Sequence, residues 1–134
     1  PSGNGVAAVA LQRFGHILGE PRYLQSAERT LQAFDTTIKR NPAACASLTH
    51  ALHEYLMPPT MVILRGDSAK LSAWRHEIAQ YYYPHHLFFY LDETVNALPQ
   101  TLQRNLSEDV NAWVCRGVVC SRSVNNLTSL LSQI

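Results

Sequence analysis

Long apolar runs, an excess of charge of one sign and the usual cofactor motifs are all missing from this chain of 134 residues. Its apolar stretches are short and interrupted, well below the ~20 residues that span a bilayer as a helix, so no membrane partner is expected. Lys and Arg number 11 against 10 Asp and Glu, mixed along the chain, for a formal net charge of +1. Such a balance offers no attraction to a polyanion, and nucleic acid is not expected as a partner. The chain opens PSGNG rather than with a basic segment and an apolar core, which predicts no secretory leader. With no initiator Met, that opening points to a fragment of a longer protein. Cysteine is scarce, and the count of 3 is odd, without the spacing of a disulfide framework. A reducing, cytoplasmic setting is therefore expected. Solenoid repeats and low-complexity tracts are also lacking.

What is present divides at Pro58-Pro59, where two residues without N–H groups end a helical pattern. Residues 1–57 read as antiparallel helices. GNGVAAVALQRFGHILG runs to Gly19, a residue suited to the left-handed end of a helix, with Val6, Val9, Ala10, Phe14, Ile17 and Leu18 covering a wide, buried face. Pro21 opens a second helix whose stripe is Leu24, Ala27, Leu31, Phe34 and Ile38. Asn41 and Pro42 are placed to cap and start a third, with Leu48, Leu52 and Leu56 inward. Residues 58–134 read as a small α/β domain. TMVILRG is a strand buried on both faces, DSAKLSAWRHEIAQYYY a helix with Leu71, Trp74, Ile78 and Tyr82 on one side, and HHLFFYLD a second buried strand. That order is a βαβ unit with a parallel pair. VNAWVC follows as a third strand and NNLTSLLSQI as a terminal helix. The fold class is thus mixed α/β: helices, then a three-stranded βαβ-type domain with flanking helices.

Candidate chemistry is thin. Cys115 and Cys120 have four residues between them in WVCRGVVC. Extended, that spacing separates the backbones by roughly 16 Å, and only a tight turn at Arg116-Gly117 brings the sulfurs within bonding reach. A redox C-x-x-C would be shorter and would open a helix; a zinc site would need two more convergent ligands. Valines on both sides favour buried thiols acting as small hydrophobes, ahead of a turn-closing disulfide and then a metal site. His50 and His53 lie three apart on a helix without the H-E-x-x-H pattern, and His85-His86 open a strand, so no metal site is assigned. Tyr81, Tyr82 and Tyr83 lack the basic groove of a nucleic-acid platform. LRGDSAK has one Gly and no phosphate-loop ending, which leaves Asp67 or Ser68 as a helix cap. Ser2 and Asn4 stand at a helix start, suited either to a polar ligand or, more plainly, to capping that helix. No catalytic group and no cofactor is nominated.

Taken together, PSGNGVAAVALQRFGHILGEPRYLQSAERTLQAF, VILRG and WVCRGVVCS give the chain a resemblance over essentially its whole length. It resembles the C-terminal end of the thioredoxin-domain proteins related to spermatogenesis-associated protein 20, a family described by a conserved domain of unknown function. The resemblance implies that residues 1–57 are the last helices of an (α/α) toroid like those of six-hairpin glycosidases and sugar epimerases, with PSGN facing its cavity. Residues 58–134 would be the α/β extension that follows, and the rest of the same longer chain would be the main partner. Three functions stand open on this footing. The first is a non-catalytic, cavity-wall segment that self-associates through apolar helix faces when isolated. The second is part of a carbohydrate-processing enzyme with a polar pocket at Ser2 and Asn4. The third is a thiol redox module using Cys115 and Cys120.

Overall fold

The computed structural model of the protein describes residues 2–107 and 109–134; Pro1, which begins the PSGN segment, and Glu108, in the stretch before the third strand, lie outside the described residues. In chain order come α1 (Gly3–Leu18), α2 (Pro21–Ala33), α3 (Asp35–Arg40), α4 (Ala46–Leu56), β1 (Thr60–Arg65), α5 (Ser68–Ile78) and β2 (His86–Leu91). A 3-10 turn at Gln100–Leu102 precedes β3 (Asn111–Arg116), β4 (Val119–Cys120) and α6 (Leu127–Leu131). Two compact units result, one from the helices up to Pro58 with Pro99–Thr101, the other from Pro59–Leu98 and Leu102–Ile134.

In the helical unit α1 ends where the sequence predicts, at Gly19 with φ 68°, a conformation that costs glycine nothing. Its packing, however, reverses the expected one. The side of α1 that is buried is Gly5, Ala8, Gln12 and Gly15, at helical spacings of three and four. A methyl group added at Gly5 would lie 2.6 Å from the backbone carbon of Ser47, and one at Gly15 would lie 2.5 Å from Leu24 Cδ2. Glycine at both places lets the backbone of α1 approach α4 and the start of α2. The larger residues are thereby turned away: Val6 is 56% exposed, Phe14 55% and Leu18 42%, while Val9, Ala10 and Ile17 are half-buried. The expected wide buried face of α1 is corrected accordingly.

Pro21 starts α2 at its first turn, as predicted, but the helix stops at Phe34 (φ −105°, ψ 6°). Ile38 reaches the interior from the separate α3. Asn41 caps a turn rather than a helix, its Oδ1 accepting from the Ala44 amide at 3.1 Å, and α4 begins only at Ala46. The inner face of α4 is Leu48, Ala51 and Glu54; Leu52 is half-buried and Leu56 exposed, which corrects the predicted leucine stripe. Ala8, Ala27, Leu31 and Ala51 make the centre of this unit.

The second unit is built on β1. The sheet order is β2-β1-β3-β4, with β1 and β2 parallel from Thr60↔His86 to Arg65↔Leu91. The crossover between them contains α5, so the βαβ arrangement stands. β3 runs antiparallel to β1, Ile63 opposite Trp113, and β4 antiparallel to β3. Val62, Ile63 and Leu64 are fully buried, as an inner strand of continuous apolar sequence requires. β2 lies at the sheet edge and is only half-buried over most of its length, unlike the fully buried strand expected. Four strands stand where three are predicted, because the chain reverses at Gly117 (φ 61°) and pairs two further residues. Asp67 is the cap of α5, accepting from the Lys70 amide at 2.9 Å, and α5 ends at Ile78. Tyr82, expected on its apolar side, lies beyond the helix and is exposed. Val62, Leu64, Leu71, Ile78, Val110, Ala112, Val114 and Leu130 form the core here.

Gly5 and Gly3 give a matched test of the close helix approach. Gly5→Ala is expected to lower stability by about 1–3 kcal/mol, the usual effect of overpacking. Gly3→Ala, with nothing within 4 Å of the added methyl, is expected to leave the thermal midpoint unchanged or slightly raised. Thermal denaturation of the two variants side by side measures the difference.

Candidate functional site

The polar interior of the helical unit gathers where α1 meets α4. Glu54 is 1% exposed, placed there because it follows Leu48 and Ala51 at helical spacing on the inward face. A lone buried carboxylate is costly, and the facing helix supplies the answer: Arg13 Nε donates to Glu54 Oε2 at 3.1 Å and Arg13 Nη2 donates to Oε1. That forked arrangement is the strong form of an Arg–carboxylate contact, and the bond to Glu54 raises the Arg13 pKa above the ordinary arginine value. His50, one turn before Glu54 on α4, brings Nε2 to 3.5 Å from Oε1. Buried Gln12 ties the same helices together, donating from Nε2 to the Ala8 carbonyl at 3.2 Å and to the Ala51 carbonyl at 3.0 Å.

Beside this cluster runs an open groove of about 470 Å³, lined by Gly5, Val6, Val9, Ala10, Phe14 and Ile17 of α1, with Arg13, Ser47 and His50 as its polar members. Its walls are apolar because the large residues of α1 face this way. Ser2 and Asn4 do not line it. The Ser2 amide donates to Ser47 Oγ at 2.9 Å, yet the Ser2 side chain makes no capping bond to α1, and Asn4 is exposed. The expectation that these side chains cap the helix is corrected: the backbone of Ser2, not its hydroxyl, is what is held.

Cys115 and Cys120 are joined in a disulfide with Cα atoms 3.9 Å apart, so the expectation of two free buried thiols is corrected. Gly117 with positive φ, followed by Val118 without it, has the signs of a type II′ two-residue turn. That turn sets Cys115 opposite Cys120, at the closely approaching position of an antiparallel ladder. Arg104 Nη2 lies 3.4 Å from Cys115 Sγ and 3.1 Å from Cys120 Sγ. Cys45 is a half-buried free thiol.

The histidines and tyrosines take up local roles. His86 sits among Tyr83 and Phe88, ring centroids 5.2 and 5.9 Å away, and Tyr81 lies 6.2 Å from Tyr83. Among the described residues no group of three or more His, Cys, Asp or Glu is arranged to hold a metal ion. Arg13 and Arg104 stand outside every motif in the sequence, and Glu54 enters only beside His53, a single step rather than a constellation. Glu54 had one signal, an acid on the Leu48–Ala51 face; Arg104 had none, since its neighbours come from a distant hairpin. Comparison with protein-family models, curated proteins and solved structures gave no match.

Removing one partner of the buried pair exposes its energetics. Arg13→Met is expected to cost roughly 2–3 kcal/mol, less than a fully buried pair because Arg13 is partly solvated. Adding Glu54→Gln should recover most of that loss; urea titration of the single and double variants checks it. A pH dependence follows as well. Burial, outweighing the pull of Glu54, lowers the His16 pKa below its usual 6.5. Burial, aided by Arg116 and His85, lowers that of His86. The unfolded chain therefore binds more protons below pH 6.5, so this stability is present above 6.5 and is lost as pH falls through the folded values. Asp92, held below 3.8 by its bonds from Thr94, acts only in stronger acid. Urea midpoints should fall between pH 7 and 5, and His16→Gln should flatten that slope.

Proposed function

We propose that this chain is a non-catalytic C-terminal segment of a larger protein of the thioredoxin-like and α/α-toroid type it resembles. Its helices would close the toroid and form one wall of a cavity, and its sheet unit would be the appended α/β extension. The observation that carries this reading is the outward apolar face of α1, with Val6 and Phe14 each more than half exposed around an apolar groove. A helix that buries its small residues on one side and carries large apolar ones on the other belongs between two layers of protein. The covering layer is the rest of the same longer chain. Nucleic acid and membrane are not among the partners in this reading, in keeping with the near-zero net charge; among the described residues no helix is long and apolar enough to cross a membrane. A cytoplasmic setting belongs to the same proposal. A polyol pocket at Ser2 and Asn4 lacks comparable support, since neither lines the groove and its walls are apolar.

Alone in solution the chain should bind an apolar dye and self-associate as its concentration rises. Val6→Glu with Phe14→Glu should shift it to monomer and reduce the dye signal severalfold with little change in stability, because both side chains are exposed. Sedimentation and dye fluorescence read this directly. A parent chain that is monomeric and dye-silent defeats the proposal.

A further inference from the structure

We propose that the Cys115–Cys120 disulfide is an exchange site for dithiols, in which Cys120 is the sulfur attacked, Cys115 the leaving thiolate, and Arg104 the cation that stabilises both thiolates. The two sulfurs differ in access. Cys120 is exposed on the two-residue edge strand β4, whereas Cys115 is 1% exposed. An incoming thiolate therefore meets Cys120. Arg104 holds its Nη2 within 3.4 Å of both sulfurs. It is fixed there by Nη1 donating to the Gln103 carbonyl at 2.6 Å and by its guanidinium lying 5.7 Å from the Trp113 ring centroid. Trp113 sits two residues before Cys115 on β3 and so on the same face of the sheet.

A cation beside a sulfur lowers the thiol pKa, and a lower leaving-group pKa speeds exchange. The dithiol's thiolate attacks Cys120 Sγ; the Cys115–Cys120 bond breaks, and its electron pair stays on Cys115 as a thiolate beside Arg104. The dithiol's second sulfur then attacks its own first sulfur. This closes the dithiol's disulfide and releases Cys120 as a thiolate, again beside Arg104. Two electrons pass from the dithiol to the protein disulfide, and the two thiol protons of the dithiol end on Cys115, Cys120 or solvent.

The bond is poorly placed to act as a staple. It closes a sequence separation of only 5, and a ring so small restrains the unfolded chain less than a long one does. The strand after it is held independently, by the Ser121 amide donating to the Val114 carbonyl at 2.8 Å and by mutual bonds of Ala112 and Val124 at 2.8 and 2.9 Å. The hairpin can therefore open and close its bridge without unfolding.

The test uses the full chain with Cys45→Ser, so that every counted thiol belongs to the pair. The folded protein should show no thiol before reductant and two after dithiothreitol. A monothiol such as glutathione should leave its adduct on Cys120 by peptide mass mapping. Arg104→Gln should slow reduction about three- to tenfold with the circular dichroism unchanged, and Arg104→Lys should restore part of the rate. Two titratable thiols in the air-equilibrated protein, an adduct on Cys115, or equal rates for the parent and Arg104→Gln would each overturn the proposal. If Arg104→Gln does not fold, the position of the adduct and the rate of Arg104→Lys against the parent decide it.

Discussion

The close approach of α1 to its neighbours at Gly5 and Gly15 governs the helical unit. With no Cβ at either position, the α1 backbone comes to within contact of Ser47 and Leu24. Helices that close are packed around small side chains, and the interior consists of Ala8, Ala27 and Ala51 with Leu31 beside them. Everything distinctive about the unit follows from that geometry. The large apolar residues of α1 are displaced to the far side and make a groove. At the contact, Gln12 Nε2 reaches the Ala51 carbonyl of α4 and Glu54 takes both bonds of its fork from Arg13 of α1, while Gln12 Oε1 is buried without a partner.

The sheet unit obeys a different constraint. β1, apolar along its length and flanked by a parallel and an antiparallel neighbour, is its fixed element. Register on β1 sets β3, and β3 in turn sets the hairpin. Because Cys115 is opposite Met61 on one side and Cys120 on the other, the pair is anchored to the core at one sulfur and open to solvent at the other. The same register turns Trp113 to the face where Arg104 lies. An asymmetric disulfide beside a cation is thus a consequence of strand order, with no special sequence motif needed to create it.

Element types were largely legible in the sequence, since they rest on local chemistry. Pro58-Pro59 separates helices from sheet, TMVIL is an inner strand, and Gly19 and Asp67 terminate and cap helices as their side chains dictate. What was not legible depends on which side of an element meets another. The apolar pattern of α1 suggests a buried Val6 and Phe14, but the glycines at 5 and 15 decide the contact, and a hydrophobic stripe carries no information about backbone spacing. Tyr82 continues the apolar spacing of Leu71, Trp74 and Ile78, yet α5 ends at Ile78. The valines beside Cys115 and Cys120 favour free thiols, but the turn at Gly117 determines the distance between them, and one glycine allows a turn without requiring it. Arg13 and Glu54 are 41 residues apart in sequence, and only the packing of α1 on α4 makes them neighbours.

The Arg13–Glu54 pair is better understood as a specifier of arrangement than as a source of stability. Desolvating a carboxylate is offset only in part by its partner, and apolar residues of similar volume often serve a core as well. The glycines already oppose a displaced α1, since a shift of one turn would bring a Cβ to where Gly5 meets Ser47 and Gly15 meets Leu24. A buried ion pair can also restrict the register at which two helices meet. Any such shift would also leave Glu54 charged, buried and without its forked partner, a further penalty of its own. Gln12, reaching the Ala51 carbonyl from the adjacent position, reinforces the same register. The ion pair also fixes Arg13 and His50 at the polar edge of the groove, so the device that locks the helices together determines what the groove displays.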